Sequence, residues 1–116
     1  MRPTRPAVPS SHRDLDPLLL LPVRLFVMCL LSDLRWYEDA VLANALRIKP
    51  HSVARHAELL AAAGYVSIRV AGRRTKMRLT PLGLDRLTGH VTALQAVAGT
   101  AAQLVTTRHG APRSPT

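Results

Sequence analysis

Residues 50–66 read PHSVARHAELLAAAGYV and residues 67–83 read SIRVAGRRTKMRLTPLG; the change of period between the two decides the fold. In the first stretch Val53, Ala57 and Leu60 recur at helical spacing, Pro50 suits a first turn because its missing N–H has no intrahelical partner anyway, and Gly64 supplies the left-handed residue that ends a helix. From Val66 the period becomes two. Val66, Ile68 and Val70 alternate with Ser67, Arg69 and Ala71, and Met77 and Leu79 alternate with Lys76, Arg78 and Thr80, so Gly72, Arg73 and Arg74 are expected to turn a two-stranded hairpin. Thr80 then caps, and Pro81 opens, another helix.

Working outward, a first helix is expected from Pro17 or Pro22 to Leu31, apolar nearly all round through Leu25, Phe26, Val27, Met28, Leu30 and Leu31. A helix of that kind is covered on most sides, which implies a second partner, a further subunit among the candidates. A second helix is expected over Tyr37–Leu46 with Val41, Leu42, Ala45 and Leu46 inward, joined by Arg47 and Ile48 to the third. The last helix carries Leu84, Leu87, Val91, Leu94, Ala98, Ala101 and Val105 in steps of three and four, a heptad-like seam weakened by Gly89, Gly99 and Thr100. The fold class is therefore α+β, mostly α: three helices, a two-stranded hairpin and a C-terminal helix. Two short helices joined by a tight turn make a helix-turn-helix, and the hairpin behind them is a wing. Residues 1–13, with three prolines and three arginines, read as a flexible basic arm, 14–98 as the folded domain, and 99–116 as a helix end and disordered tail, flexible from Thr106.

The chain has 116 residues, one modest domain, and only four aromatic side chains, Phe26, Trp36, Tyr37 and Tyr65. That excludes a stacking platform for single strands. The single cysteine, Cys29, read as lying deep in the first helix, excludes a disulfide framework, and the histidines have no ligand spacing; no metal or cofactor is expected. Neither a glycine-rich phosphate loop nor a nucleophile beside a base is present, so enzyme chemistry is not expected. The apolar run Pro17–Leu31 is short for a membrane span, is interrupted by Pro22 and Arg24, and follows Asp14 and Asp16 rather than a basic start. It reads as a buried helix, with no membrane partner and a cytoplasmic location.

Sixteen Lys and Arg against seven Asp and Glu give a net charge of +9, and its distribution is more telling than its size. Residues 14–46 are acidic. Residues 47–78 hold Arg47, Lys49, Arg55, Arg69, Arg73, Arg74, Lys76 and Arg78 against Glu58 alone, and 79–107 balance. A solvated surface mixes its signs, whereas a duplex-binding face gathers cations. The candidate DNA-binding residues are accordingly Lys49, His51, Ser52 and Arg55 at the third helix, and Arg69, Arg73, Arg74 and Lys76 on the hairpin. Arg55 has the geometry to donate two hydrogen bonds to guanine. His56 flanks the inward stripe and is expected to be packed and hydrogen-bonded; His90 is expected to be structural or solvated.

The pieces LDPLLLLPVRL (15–25), SVARHAELLAAAGYV (52–66), LTPLG (79–83) and GHVTALQAV (89–97) resemble the winged-helix DNA-binding domain of small bacterial transcriptional regulators close to the MarR and ArsR groups. Lys49 departs from it, standing where a capping Ser or Thr is usual, as do Ala57 in place of a leucine and Asp39 in place of an apolar residue. The resemblance implies a homodimer, held through the first and last helices (Leu84, Leu87, Val91 and Leu94 in the latter), that binds double-stranded operator DNA through the third helix and the wing. A protein-interaction module of the same fold and a non-specific architectural DNA binder stay open as alternatives.

Overall fold

The computed structural model describes residues 14–109; the basic arm, and the tail beyond His109, lie outside them. A 3-10 turn (Pro17–Leu19) is followed by α1 (Pro22–Leu30), β1 (Tyr37–Glu38), α2 (Asp39–Leu46), α3 (Pro50–Ala62), β2 (Val66–Ala71), β3 (Arg74–Leu79) and α4 (Pro81–His109). The strands form one antiparallel sheet in the order β1-β3-β2, with Tyr37 opposite Met77, Glu38 opposite Lys76, and Ile68 opposite Met77. The hairpin thus gains a third strand that the sequence reading had assigned to the start of a helix. α2 begins two residues later than expected; Leu42 is buried and Leu46 packs against the core as expected, but Val41 and Ala45 are exposed and Ala43 is buried instead.

One aliphatic core joins all layers: Leu19, Val27, Met28 and Leu31 from the first segment, Val53, Ala57 and Leu60 from α3, and Val66, Met77 and Leu79 from the sheet. Alternation places Ile68 and Met77 on the core side and Ser67, Arg69, Lys76 and Arg78 on the outer side of the sheet. Gly72, at φ +62°, is the first residue of a two-residue turn whose second is Arg73, and Arg74 already belongs to β3. Lys49 stands at the N-cap of α3 without any side-chain bond to the backbone, as its chemistry requires. Between α2 and α3 the chain turns through Arg47 in the left-handed region at φ 56°.

The junction of α3, the sheet and α4 is tightly tied. Gly64 (φ +84°) ends α3, and Tyr65 N–H donates to Leu60 O at 2.9 Å. Thr80 N–H donates to Tyr65 O at 3.0 Å, the Thr80 hydroxyl donates to Gly64 O at 2.6 Å, and Thr80 Oγ1 accepts from Gly83 N at 2.9 Å. A second tie runs through Asp16, which accepts from the Tyr65 hydroxyl and from Leu18 N–H, and whose own N–H donates to His90 Nδ1 at 2.9 Å. His90 is buried and structural; Nδ1 is the acceptor, so the ring proton sits on Nε2.

Three expectations are corrected. On α4 the buried residues are Gly83, Leu87, His90 and Ala93, and Leu84 and Val91 pack against the chain's own core. The first part of the expected dimer seam is therefore used internally, because the opening turns of α4 lie against α1 and β3, and only Leu94 of the four named residues is classed as exposed. Cys29 is on the exposed side of α1, not deep within the core. Residues 106–109, expected in the flexible tail, continue α4 without a break; Gly99 alone does not stop it, and Arg108 and His109 sit favourably at its carboxyl end. Phe26 (51% exposed) and Leu30 (39%) show that α1 is indeed apolar beyond what one core absorbs.

Gly83 and Gly89 make a paired test of this packing. A Cβ at Gly83 would lie 2.1 Å from Tyr65 O, whereas one at Gly89 meets nothing within 4 Å. In chemical denaturation Gly83→Ala is expected to lose about 2 kcal/mol or more, and Gly89→Ala to gain about 1 kcal/mol from helix propensity.

Candidate nucleic-acid interface

The predicted site residues divide into two groups in space. On α3, Lys49, His51 and Arg55 are exposed and Ser52 is half-buried, all away from the stripe Val53–Ala57–Leu60. On the hairpin, Arg69, Arg73, Arg74 and Lys76 are exposed, with Arg69 opposite Lys76 in register and Arg73 at the tip.

Sequence reasoning missed several partners of these cations. Trp36, just before β1, carries the Arg69 guanidinium at 4.5 Å from its ring centroid and that of Arg78 at 4.8 Å. Cation–π contact of this kind holds two arginines of like charge over one ring. Glu38 of β1 sits opposite Lys76 and pairs with Arg74 at 3.6 Å. The hairpin is therefore not free of acid, as its own sequence implied. The pair is exposed, with the Arg74 side chain 74% accessible, and pairs of this kind hold a cation weakly. The signal for β1 was a run of only two residues, too short to show a period. The signal for a third missed residue, Arg24, was its position as the lone charge in the apolar run of the first helix.

Arg24 meets α3 from the side. Its Nε donates to His56 Nδ1 at 3.3 Å, and with Ser52, Arg55, His56, Glu58 and Leu59 it lines a recess of about 450 Å³. His56 is half-buried and hydrogen-bonded, as expected. Burial, then the neighbouring charges of Arg24 and Arg55, hold its pKa below the ordinary histidine value of 6.5. A larger recess of about 780 Å³ lies between residues 14–17, Tyr65 and α4, where Asp14, Asp16 and Asp85 face Arg86 alone among charged groups; that balance is wrong for a phosphate. Among the described residues there is no cluster able to hold a metal, and no helix long and apolar enough to cross a membrane. Because the folded state binds the His56 proton less readily than the unfolded chain, the associated stability is complete above pH 6.5 and falls as the pH drops through that value toward the lower folded pKa. A histidine titration by NMR is expected to place His56 below 6.5, and His56→Gln is expected to remove this part of the acid-side loss in stability.

A family model described as a winged helix DNA-binding domain matches residues 23–98. Among solved structures, the chain is similar to a transcriptional regulator homologue protein from Pyrococcus horikoshii OT3, with 26% identity, a TM-score of 0.65, and coverage of 72% of this chain and 87% of that one. It is also similar in fold to BpsR of Bordetella bronchiseptica, whose DNA binding is regulated by 6-hydroxynicotinic acid (19% identity, TM-score 0.61, 76% of this chain and 69% of that one). A third likeness of fold is to a mutant of Lactococcus lactis ZitR in complex with DNA (20% identity, TM-score 0.53, 72% of this chain and 58% of that one). No curated protein matches the sequence. With about two thirds of its length matched by the family model, the chain belongs to the winged helix DNA-binding domain family, a family of DNA-binding rather than catalytic modules.

Proposed function

We propose that the protein is a sequence-specific regulator of transcription that binds double-stranded DNA as a homodimer in the cytoplasm. Residues 14–98 form the binding unit, the basic arm 1–13 adds charge, and 99–109 continue the last helix. In this reading α3 enters the major groove with its N-terminal half and the hairpin tip rests on the backbone or in the minor groove. The observation that carries it is the sorting of charge: the cations of residues 47–78 are exposed in the turn before α3, on α3 and on the hairpin, while residues 14–46 are acidic. Lys49, Arg69, Arg73, Arg74 and Lys76 supply phosphate contacts, Arg55 reads base edges, and His51 and Ser52 reach a base edge or a phosphate. The DNA complex of ZitR and the regulated DNA binding of BpsR support the same partner here.

The dimer reading rests on apolar surface that the chain leaves uncovered. Leu20, Leu21, Phe26 and Leu30 are exposed on and before α1, and Leu94, Leu104 and Val105 on α4. Isolated exposed leucines are ordinary, but a run of this kind marks an interaction face.

Selection of bound duplexes from a random pool is expected to return an inverted repeat with half-sites about 34 Å apart. If each protomer neutralises about four phosphates, log K falls against log salt with a slope of about −7 for the dimer. Arg73→Ala with Arg74→Ala is expected to weaken binding to every sequence alike and to flatten that slope, whereas Arg55→Ala is expected to relax preference at one or two base positions by about 1–3 kcal/mol. Selection of no common sequence, with the slope retained, identifies an architectural binder; absence of duplex binding at low salt identifies a protein-docking module.

A further inference from the structure

Arg24 is the lone charge of α1, in a helix otherwise made of apolar side chains, Pro22 and Cys29. A guanidinium placed there without purpose would be turned to solvent or paired with an acid. Instead, among the described residues, it has no carboxylate partner within ion-pair distance, and its one hydrogen bond is from Nε to a neutral imidazole nitrogen of α3. That bond uses the single donor on the stem side of the guanidinium. The two terminal nitrogens, which present the planar fork that matches a phosphate or carboxylate, are left unengaged.

Arg24 lines the same recess as Ser52 and Arg55. Residues 52, 55, 56 and 59 fall at i, i+3, i+4 and i+7, one flank of α3 beside the buried stripe. Two arginines and a serine thus line one recess beside the N-terminal half of the recognition helix. With no acid other than Glu58 lining the recess, the two like charges leave a positive potential that an anion would neutralise.

We propose that this recess seats one phosphodiester of the DNA backbone at the edge of the major groove, with Arg24 and Ser52 as phosphate contacts beside Arg55 and with His56 as the positioning residue that anchors Arg24 through Nδ1. The proposal rests on the DNA-binding reading and extends it to a helix outside the recognition element and the wing. His56 performs this role in its neutral form, since only an unprotonated Nδ1 accepts a hydrogen bond.

The test is a salt series of duplex affinities measured by fluorescence anisotropy on the full chain, with the selected duplex and a random one. Arg24→Gln is expected to weaken both by about five- to tenfold and to reduce the magnitude of the log–log salt slope by about 0.9 per protomer, with an unchanged melting temperature. Arg24→Lys keeps the charge but loses the anchoring Nε, so the slope is retained while affinity falls. His56→Leu is expected to behave like Arg24→Lys, and His56→Asn, which restores an acceptor, to recover part of the loss. Wild-type affinity and slope for Arg24→Gln, alongside a loss in the Arg73→Ala and Arg74→Ala double variant, would overturn the phosphate seat and leave the DNA-binding reading standing. Should Arg24→Gln unfold the domain, Arg24→Lys decides, and wild-type affinity in that variant overturns the seat. Failure of the wild-type chain to bind any duplex overturns the DNA-binding reading instead.

Discussion

The contact on which the rest depends is the approach of α4 to the end of α3. The Thr80 hydroxyl lies between Gly64 O and Gly83 N, and the Cα of Gly83 sits so near Tyr65 O that no side chain fits between them. One small knot of backbone thereby fixes three things: where the recognition helix stops, where the hairpin leaves it and returns, and the angle at which the last helix departs. The two surfaces that carry the cations are joined through this knot, so their relative placement follows from backbone hydrogen bonds rather than from the cations themselves, which repel. Asp16 reinforces it from a distance by bridging Tyr65 and His90.

Much of this was legible in the sequence because the signals are local. Thr80 and Pro81 carry a cap and a first-turn proline in consecutive positions, and the switch of period at Val66 marks the helix-to-strand change without reference to anything distant. What escaped depends on contacts between remote segments. Tyr37 and Glu38 become a strand only because Met77 and Lys76 offer an edge to pair with, and a two-residue strand has no period of its own. On α2 Leu42 and Leu46 face the core as expected, but Ala43 takes the inward place that Val41 and Ala45 were given. The heptad spacing on α4 was real, but spacing cannot say whether its apolar stripe meets the same chain or another, and Leu84, Leu87 and Val91 meet the same chain.

The candidate interface was legible as a set of residue types and illegible as an arrangement. Charge counting located the cations on α3 and the hairpin, which the structure places on exposed surfaces. It did not reveal that Trp36 holds Arg69 and Arg78, that Glu38 lies against Arg74, or that Arg24 reaches α3 from another helix. Each of these is a side chain distant in sequence that limits the freedom of a cation. Long flexible side chains lose rotamer entropy when they grip a ligand, and a cation already stacked or anchored has less left to lose.

The last helix has a mechanical consequence. Its 29 residues form one continuous rod, of which only the opening turns are gripped by the rest of the fold. At 1.5 Å per residue the stretch beyond Ala93, the last buried residue of the rod, is about 24 Å long, so a tilt of about 5° there swings the free end through about 2 Å. Since the gripped end runs into the same knot that orients the recognition helix and the hairpin, whatever clasps the free end holds a crowbar whose fulcrum lies in the turns from Gly83 to Ala93.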